Sequence, residues 1–170
     1  DILESLGWLG IRHDNKEVWR QSERADIYKS HLKKLVDSGA AYLSKESDTP
    51  QEAGFVSPKK NVDKPKRDEV IRFRNPNKKI TFTGVIRGDI TFDTTDLGDF
   101  VIAKSMEEPI YHLAVVVDDA EMGVTHVIRG EDGISNTPRQ ILIQEALGFS
   151  RPIYAHVPLI LASDRSKLSK

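Results

Sequence analysis

The stretch that most restricts how this chain can fold runs from Thr125 to Leu161. "THVIRGED" opens as an apolar strand, "TPRQILIQEALG" reads as a helix, and "PIYAHVPLIL" follows as a second apolar run. Thr137 is predicted to cap the helix, Pro138 takes its first position, Gln140 completes a capping box and Gly148 stops it. Strand, helix and strand in this order read as a parallel βαβ unit, with a right-handed crossover expected. Just upstream, "YHLAVVVDD" is nearly continuous in apolar residues, which predicts another strand buried on both faces. The strand at 125 ends unusually, on Arg129, Gly130, Glu131, Asp132 and Gly133. Ligands of open parallel sheets bind beyond the carboxyl ends of the strands. Two readings stand side by side here: a solvated strand-to-helix turn, or a ligand site.

The first half of the chain is written differently. Ile2, Leu3, Leu6 and Leu9 fall on one helical face that ends at Gly10. Ser22 is predicted to cap a second helix, with Glu23 in its first turn. Ile27, Tyr28, His31, Leu32, Leu35 and Val36 recur at helical spacing up to Gly39. His31, lying on that stripe, is expected to be packed rather than to bind a ligand. From about 44 to 68 the chain turns polar, with three prolines, and reads as a loop or linker. Short strands follow. "EVIRFR" alternates Ile71 and Phe73 with Arg72 and Arg74, "NPN" at 75–77 turns the chain, "KITFTGVI" alternates Ile80 and Phe82 with threonines, "GDITFD" repeats the pattern, and "DFVIAKS" adds one more. An antiparallel meander, separate from the βαβ unit, is expected.

Composition narrows the function classes. No apolar run approaches the ~20 residues of a membrane span. The absence of cysteine excludes a disulfide scaffold and a thiolate zinc site. The five histidines show no close His-x-x-x-His pair, so no metal site is expected. The net charge of −1 conceals a basic block: nine Lys/Arg between 58 and 79 stand against Asp63, Asp68 and Glu69, leaving the rest of the chain acidic. Such a block points either to phosphate contact or to a solvated face. The chain opens inside a helical stretch and closes on "SKLSK" with no terminating element, so an internal piece of a longer protein is expected.

The long run "YHLAVVVDDAEMGVTHVIRGEDGISNTPRQILIQEALG", with "YAHVPLIL" and "SKLSK" after it, resembles the second half of the catalytic domain of glutamyl-tRNA synthetases. "WRQSERADIYKSHLKKLVDSGAAY" is similar to the segment by which that family enters an inserted domain. The likeness covers nearly the whole chain and is weakest from about 44 to 68. It implies an α/β fold: the Rossmann-type parallel sheet of a class I core, with an inserted α+β antiparallel meander. Residues 1–40 would close the first half of the core, 41–108 would form the acceptor-stem-binding insertion, and 109–170 would be the second half, ending in the KLSK loop. The implied reaction joins glutamate to ATP as an adenylate, with Mg2+, and passes the glutamyl group to tRNA(Glu). A cytoplasmic monomer without zinc is implied as well.

The resemblance also assigns roles. Arg129 matches the family's arginine for the substrate carboxylate, a task for which a guanidinium fork is suited and lysine is not. Tyr111 matches a tyrosine lining the glutamate pocket. Glu131, His156, Leu159, Ile160 and Lys170 correspond to the ATP site, His156, Leu159 and Ile160 mainly through backbone. Lys167, Ser169 and Lys170 match the loop that neutralises charge growing on the phosphoryl oxygens as pyrophosphate leaves. Arg72, Arg74, Lys59 and Lys60 would meet tRNA phosphates. Asp118 and Asp119 would orient neighbouring groups. Two departures stand out. The family's His-Ile-Gly-His motif is absent from this chain, and Gly133 replaces the histidine that usually completes "GEDH". Alternatives are a glutamyl-queuosine tRNA(Asp) synthetase, a glutaminyl enzyme, or a non-catalytic tRNA-binding module built on a synthetase core. The KLSK loop favours an enzyme, because RNA binding alone needs no lysines poised for pyrophosphate.

Overall fold

The computed structural model describes residues 2–14, 17–45 and 69–163. Helix α1 (Ile2–Trp8) forms where its spacing predicts, but none of its residues is buried, and its apolar face lies open. Helix α2 (Ala25–Asp37) buries Tyr28, His31, Leu32 and Leu35. Ser22 does not cap it. Gln21–Glu23 instead form a single 3-10 turn, and Arg24 takes the capping position without a side-chain bond. Glu23 therefore belongs to that turn rather than to α2. His31 is packed as expected, its ring edge-on to Phe149 and its Nε2 3.3 Å from Glu121.

The strands do not make one meander. β1 (Ala41–Lys45), β2 (Glu69–Phe73), β5 (Phe100–Ser105) and β6 (Glu108–Pro109) form an antiparallel sheet in the order β1-β2-β5-β6. β3 (Lys79–Gly84) and β4 (Gly88–Asp93) pair as a hairpin but belong to a second sheet, ordered β4-β3-β8-β7. Period-two alternation fits a strand to any neighbour, so the sequence could not tell which sheet the hairpin would join. β1 is itself an addition that takes in Ser44 and Lys45 from the stretch read as polar, and the rest of that stretch lies outside the described residues.

In the second sheet, β7 (His126–Gly130) and β8 (Ile153–Val157) run parallel and are connected by α4 (Thr137–Leu147), as the βαβ reading requires. Among the described residues, β7 is nevertheless the last strand of its sheet. Ile128 is 71% exposed, so the expectation of burial on both faces fails. "YHLAVVVDD" is a helix, α3 (Tyr111–Glu121), not a strand. Leu113, Ala114, Val116 and Val117 lie on one helical stripe and are buried, and that packing overrides the strand preference of three consecutive valines. α2, α3 and α4 share one core with Phe73, Phe82, Phe100, Ile102 and Tyr154 from the two sheets.

Arg72 was expected to face outward and is 3% exposed. The register of β2 against β5 slips between Ile71 and Arg72, and this bulge breaks the alternation on which the expectation rested. Its guanidinium donates to Ser44 Oγ and to the carbonyl of Asp99. Arg74 remains exposed, and its guanidinium sits 4.8 Å from the centre of the Tyr42 ring.

Candidate active site

Arg129 closes β7 at the carboxyl end of the parallel pair, directly beside His156 of β8. A single 3-10 stretch, Glu131–Asn136, then carries the chain into α4. The side chain of Arg129 reaches across to the start of α4 and to β8. Its Nη2 donates to Thr137 Oγ1 at 2.8 Å and its Nε to His156 Nε2 at 3.3 Å, and the guanidinium lies 5.8 Å from the centre of the Tyr154 ring.

These bonds fix the state of His156. Nε2 accepts a hydrogen bond from Arg129 Nε and also lies 3.2 Å from Thr137 Oγ1, so it is the acceptor and the ring proton resides on Nδ1. That Nδ1 is buried with no partner among the described residues. Burial, and then the charges of Arg129 and Arg87, hold the imidazole below its ordinary pKa, so it stays neutral. Thr137, predicted as a helix cap, makes no capping bond. Its hydroxyl is committed to Arg129 and His156, and Asn136 takes the cap position. Gln140 likewise makes no capping box, and its Nε2 is buried without a partner among the described residues. Gly148 stops α4 as predicted, in the left-handed conformation at φ 71°.

Helix α3 brings two more titratable groups into the field of Arg129. Burial lowers the His112 imidazole to about 4, with Arg139 and Arg129 adding to the effect. The Asp119 carboxyl is pushed up by burial, against the pull of Arg129 and with a smaller push from Asp118. A cation, a half-buried carboxyl and two neutral imidazoles thus surround one strand end. Such a place suits an anionic ligand that also carries hydrogen-bonding groups.

The other predicted residues are distributed around it. Glu131 pairs with Arg87 from the β3–β4 turn and accepts a hydrogen bond from the Leu159 amide at 3.2 Å, so it ties that turn to the segment after β8. His156 is 1% exposed, and its ring serves Arg129. Ile160 is exposed and Leu159 partly so. Tyr111 is 53% exposed and lines a cavity of about 280 Å³ with Gln21, Tyr28, Glu107 and Pro109, a cavity that Arg129 does not line. Asp118 turns away from the site to α2 and the turn before it, where Tyr28, Arg24 and Gln21 hold it. Lys59, Lys60, Lys167, Ser169 and Lys170 lie outside the described residues. No group of three or more metal-ligating side chains occurs among the described residues, and no helix there is long and apolar enough to cross a membrane. Sequence reading missed Thr137 and His112 as parts of this site, and named Asp119 only together with Asp118, which turns elsewhere. The polar Thr137 at a helix start was visible, but its partner 19 residues on was not.

Comparison with known proteins places this geometry in context. The family model for class I tRNA synthetases (E and Q), catalytic domain, matches residues 1–54 and 44–170. The glutamate--tRNA ligase of Hydrogenobaculum sp. (strain Y04AAS1) is 48% identical over 190 residues, which take in 99% of this chain and 40% of that protein. The glutamate--tRNA ligase of Aquifex aeolicus (strain VF5) shows the same identity and coverage. Among solved structures, a glutamate tRNA ligase from Elizabethkingia meningosepticum, crystallised in complex with its amino acid, superposes with a TM-score of 0.81. It is 30% identical and covers 99% of this chain and 41% of that one. The chain therefore spans about 40% of the length of the curated relatives it matches.

Proposed function

The chain belongs to the class I tRNA synthetases (E and Q), as part of their catalytic domain, and we propose that it works within an enzyme that activates glutamate with ATP and transfers it to tRNA(Glu). The observation that carries this reading is Arg129. A guanidinium at the carboxyl end of a parallel strand, held by hydrogen bonds to a hydroxyl and an imidazole, is prepared to receive an anionic substrate. The relatives, named as glutamate ligases, supply the identity of that anion.

In this reading Arg129 grips the substrate carboxylate while Thr137 and His156 hold its fork in place. The neutral imidazole serves this purpose, since a second cation would compete for the same anion. Tyr111 borders the amino-acid pocket. Glu131, anchored by Arg87, steadies the segment at Leu159 and Ile160 against which ATP rests. Lys167 and Lys170 neutralise charge on the departing pyrophosphate, Ser169 donates a hydrogen bond to it, and Mg2+ accompanies the nucleotide. Residues 41–108 meet the acceptor end of the tRNA, with Arg74, Lys59 and Lys60 at phosphates. Arg72, being buried, has a structural task instead. The enzyme is a cytoplasmic monomer.

Steady-state aminoacylation of tRNA(Glu) by the full-length protein tests the assignment. Arg129→Ala should raise the glutamate KM about a hundredfold or more, with the ATP KM little changed, because a charged, bidentate contact is lost from one substrate only. Equal losses for both substrates would remove Arg129 from the amino-acid site.

A further inference from the structure

An arginine on a protein surface is usually unfixed, because its long side chain has many rotamers to lose. Arg74 is exposed and is nevertheless held at every level. Its own amide donates to the Ala40 carbonyl at 2.8 Å, and the next amide, that of Asn75, donates to Asp99 Oδ1 at 2.8 Å. Its Nε donates to the Gly39 carbonyl at 3.3 Å, while the guanidinium lies 4.8 Å from the centre of the Tyr42 ring. That ring is fixed in turn, since the Tyr42 hydroxyl donates to Asp99 Oδ2 at 2.7 Å. The two oxygens of one carboxylate thus hold both the backbone beside the arginine and the ring against which its guanidinium rests. Among the described residues the Arg74 side chain makes no hydrogen bond beyond the one to Gly39, so Nη1 and Nη2 are left for an acceptor from outside. A guanidinium seated on an aromatic ring with its outer edge open suits a phosphate.

We propose that Tyr42 is a positioning residue for RNA recognition: anchored by Asp99, its ring seats the Arg74 guanidinium so that the outer nitrogens meet a tRNA phosphate already ordered. Tyr42 acts through the arginine and has no need to touch the RNA. That the acceptor is a tRNA phosphate rests on the reading of Arg74 given above. The seating itself does not, and can be measured without RNA.

Two readouts on the full-length protein keep these apart. In NMR of isotope-labelled arginine, the Arg74 Nε–H should exchange with water more slowly than the Nε–H of freely exposed arginines, and Tyr42→Leu should remove that protection. In direct binding of tRNA(Glu), Arg74→Ala should raise Kd and flatten its salt dependence by about one counterion. Tyr42→Leu should raise Kd about two- to fivefold, the worth of one exposed cation–π contact, and should add nothing once Arg74 is replaced by alanine. Tyr42→Phe, which keeps the ring and gives up the bond to Asp99, should act in the same direction by a smaller amount, and it serves if Tyr42→Leu does not fold. A Tyr42 effect of equal size with and without Arg74, or none where Arg74→Ala does weaken binding, would overturn the inference. A protected Arg74 Nε–H together with an Arg74→Ala protein of unchanged Kd and salt slope would uphold the seating and overturn the tRNA phosphate as its purpose.

Discussion

Asp118 and Asp119 are neighbours on α3, and they belong to different kinds of place. Asp118 is satisfied: Arg24 Nε reaches it at 2.8 Å, Gln21 Nε2 at 3.0 Å, and the Tyr28 hydroxyl lies within 2.9 Å of both its oxygens. Arg24 is stacked over Trp19 at 3.9 Å, and the Tyr28 phenol is pushed up to about 12 by burial and then by Asp118. This cluster clamps α2 to α3. Asp119 looks the other way, half-buried in the field of Arg129, which also reaches His112 and His156. A carboxylate met by three donors holds a fold together, whereas one kept half-dry in the field of an arginine is left for something else.

That contrast can be broken in order of size. Asp118→Ala strands Arg24 in a nearly buried setting and should cost about 3–5 kcal/mol of stability in urea unfolding, while leaving substrate KM values alone in protein that stays folded. A loss below about 1 kcal/mol would make the clamp ornamental. Arg72→Ala, which empties the buried bonds to Ser44 and Asp99, should cost about 2–3 kcal/mol. If it instead weakens tRNA binding at unchanged stability, the arginine is not structural.

The third test uses pH. The His112 imidazole takes its proton near 6.5 when unfolded and near 4 when folded, so the unfolded state binds more protons between those values. Stability should hold above pH 6.5, fall as pH drops through the window, and level off below about 4. The loss should be at most about 2 kcal/mol once the partial exposure of the ring is allowed for. His112→Leu should flatten that slope, and an unchanged slope would place the sensitivity elsewhere. Smallest is Arg74→Ala. Stability should stay within about 0.5 kcal/mol, and the salt dependence of tRNA binding should lose roughly one counterion. An unchanged salt slope would remove Arg74 from the RNA interface.

Much of this was legible before any coordinates. The βαβ unit, the glycine stop at Gly148 and the packed His31 followed from local rules that the structure obeys. Arg129 was singled out because a charge at a strand end is unusual, and that signal is local too. What failed was long-range. Three valines look the same in a strand and in a buried helix, and α3 was decided by the face that Leu113, Val116 and Val117 present to the core. The inward turn of Arg72 needed a bulge that no spacing announces. Thr137 seemed to have a cap's employment because its real partners, Arg129 and His156, sit on two strands that meet only in the fold.

The seam between β3 and β8 has a consequence in time. Gly84 pairs with Tyr154, and the Val85 amide bonds to the Tyr154 carbonyl at 2.9 Å, joining segments about seventy residues apart. The β3–β4 hairpin can close in about 1–10 μs from local pairing alone, whereas the parallel seam must wait for α4 and β8 to be in place. The second sheet is thus assembled from two halves made separately, and the chain should fold at the pace of its last junction. The Val85 amide should accordingly acquire protection later than amides within the hairpin.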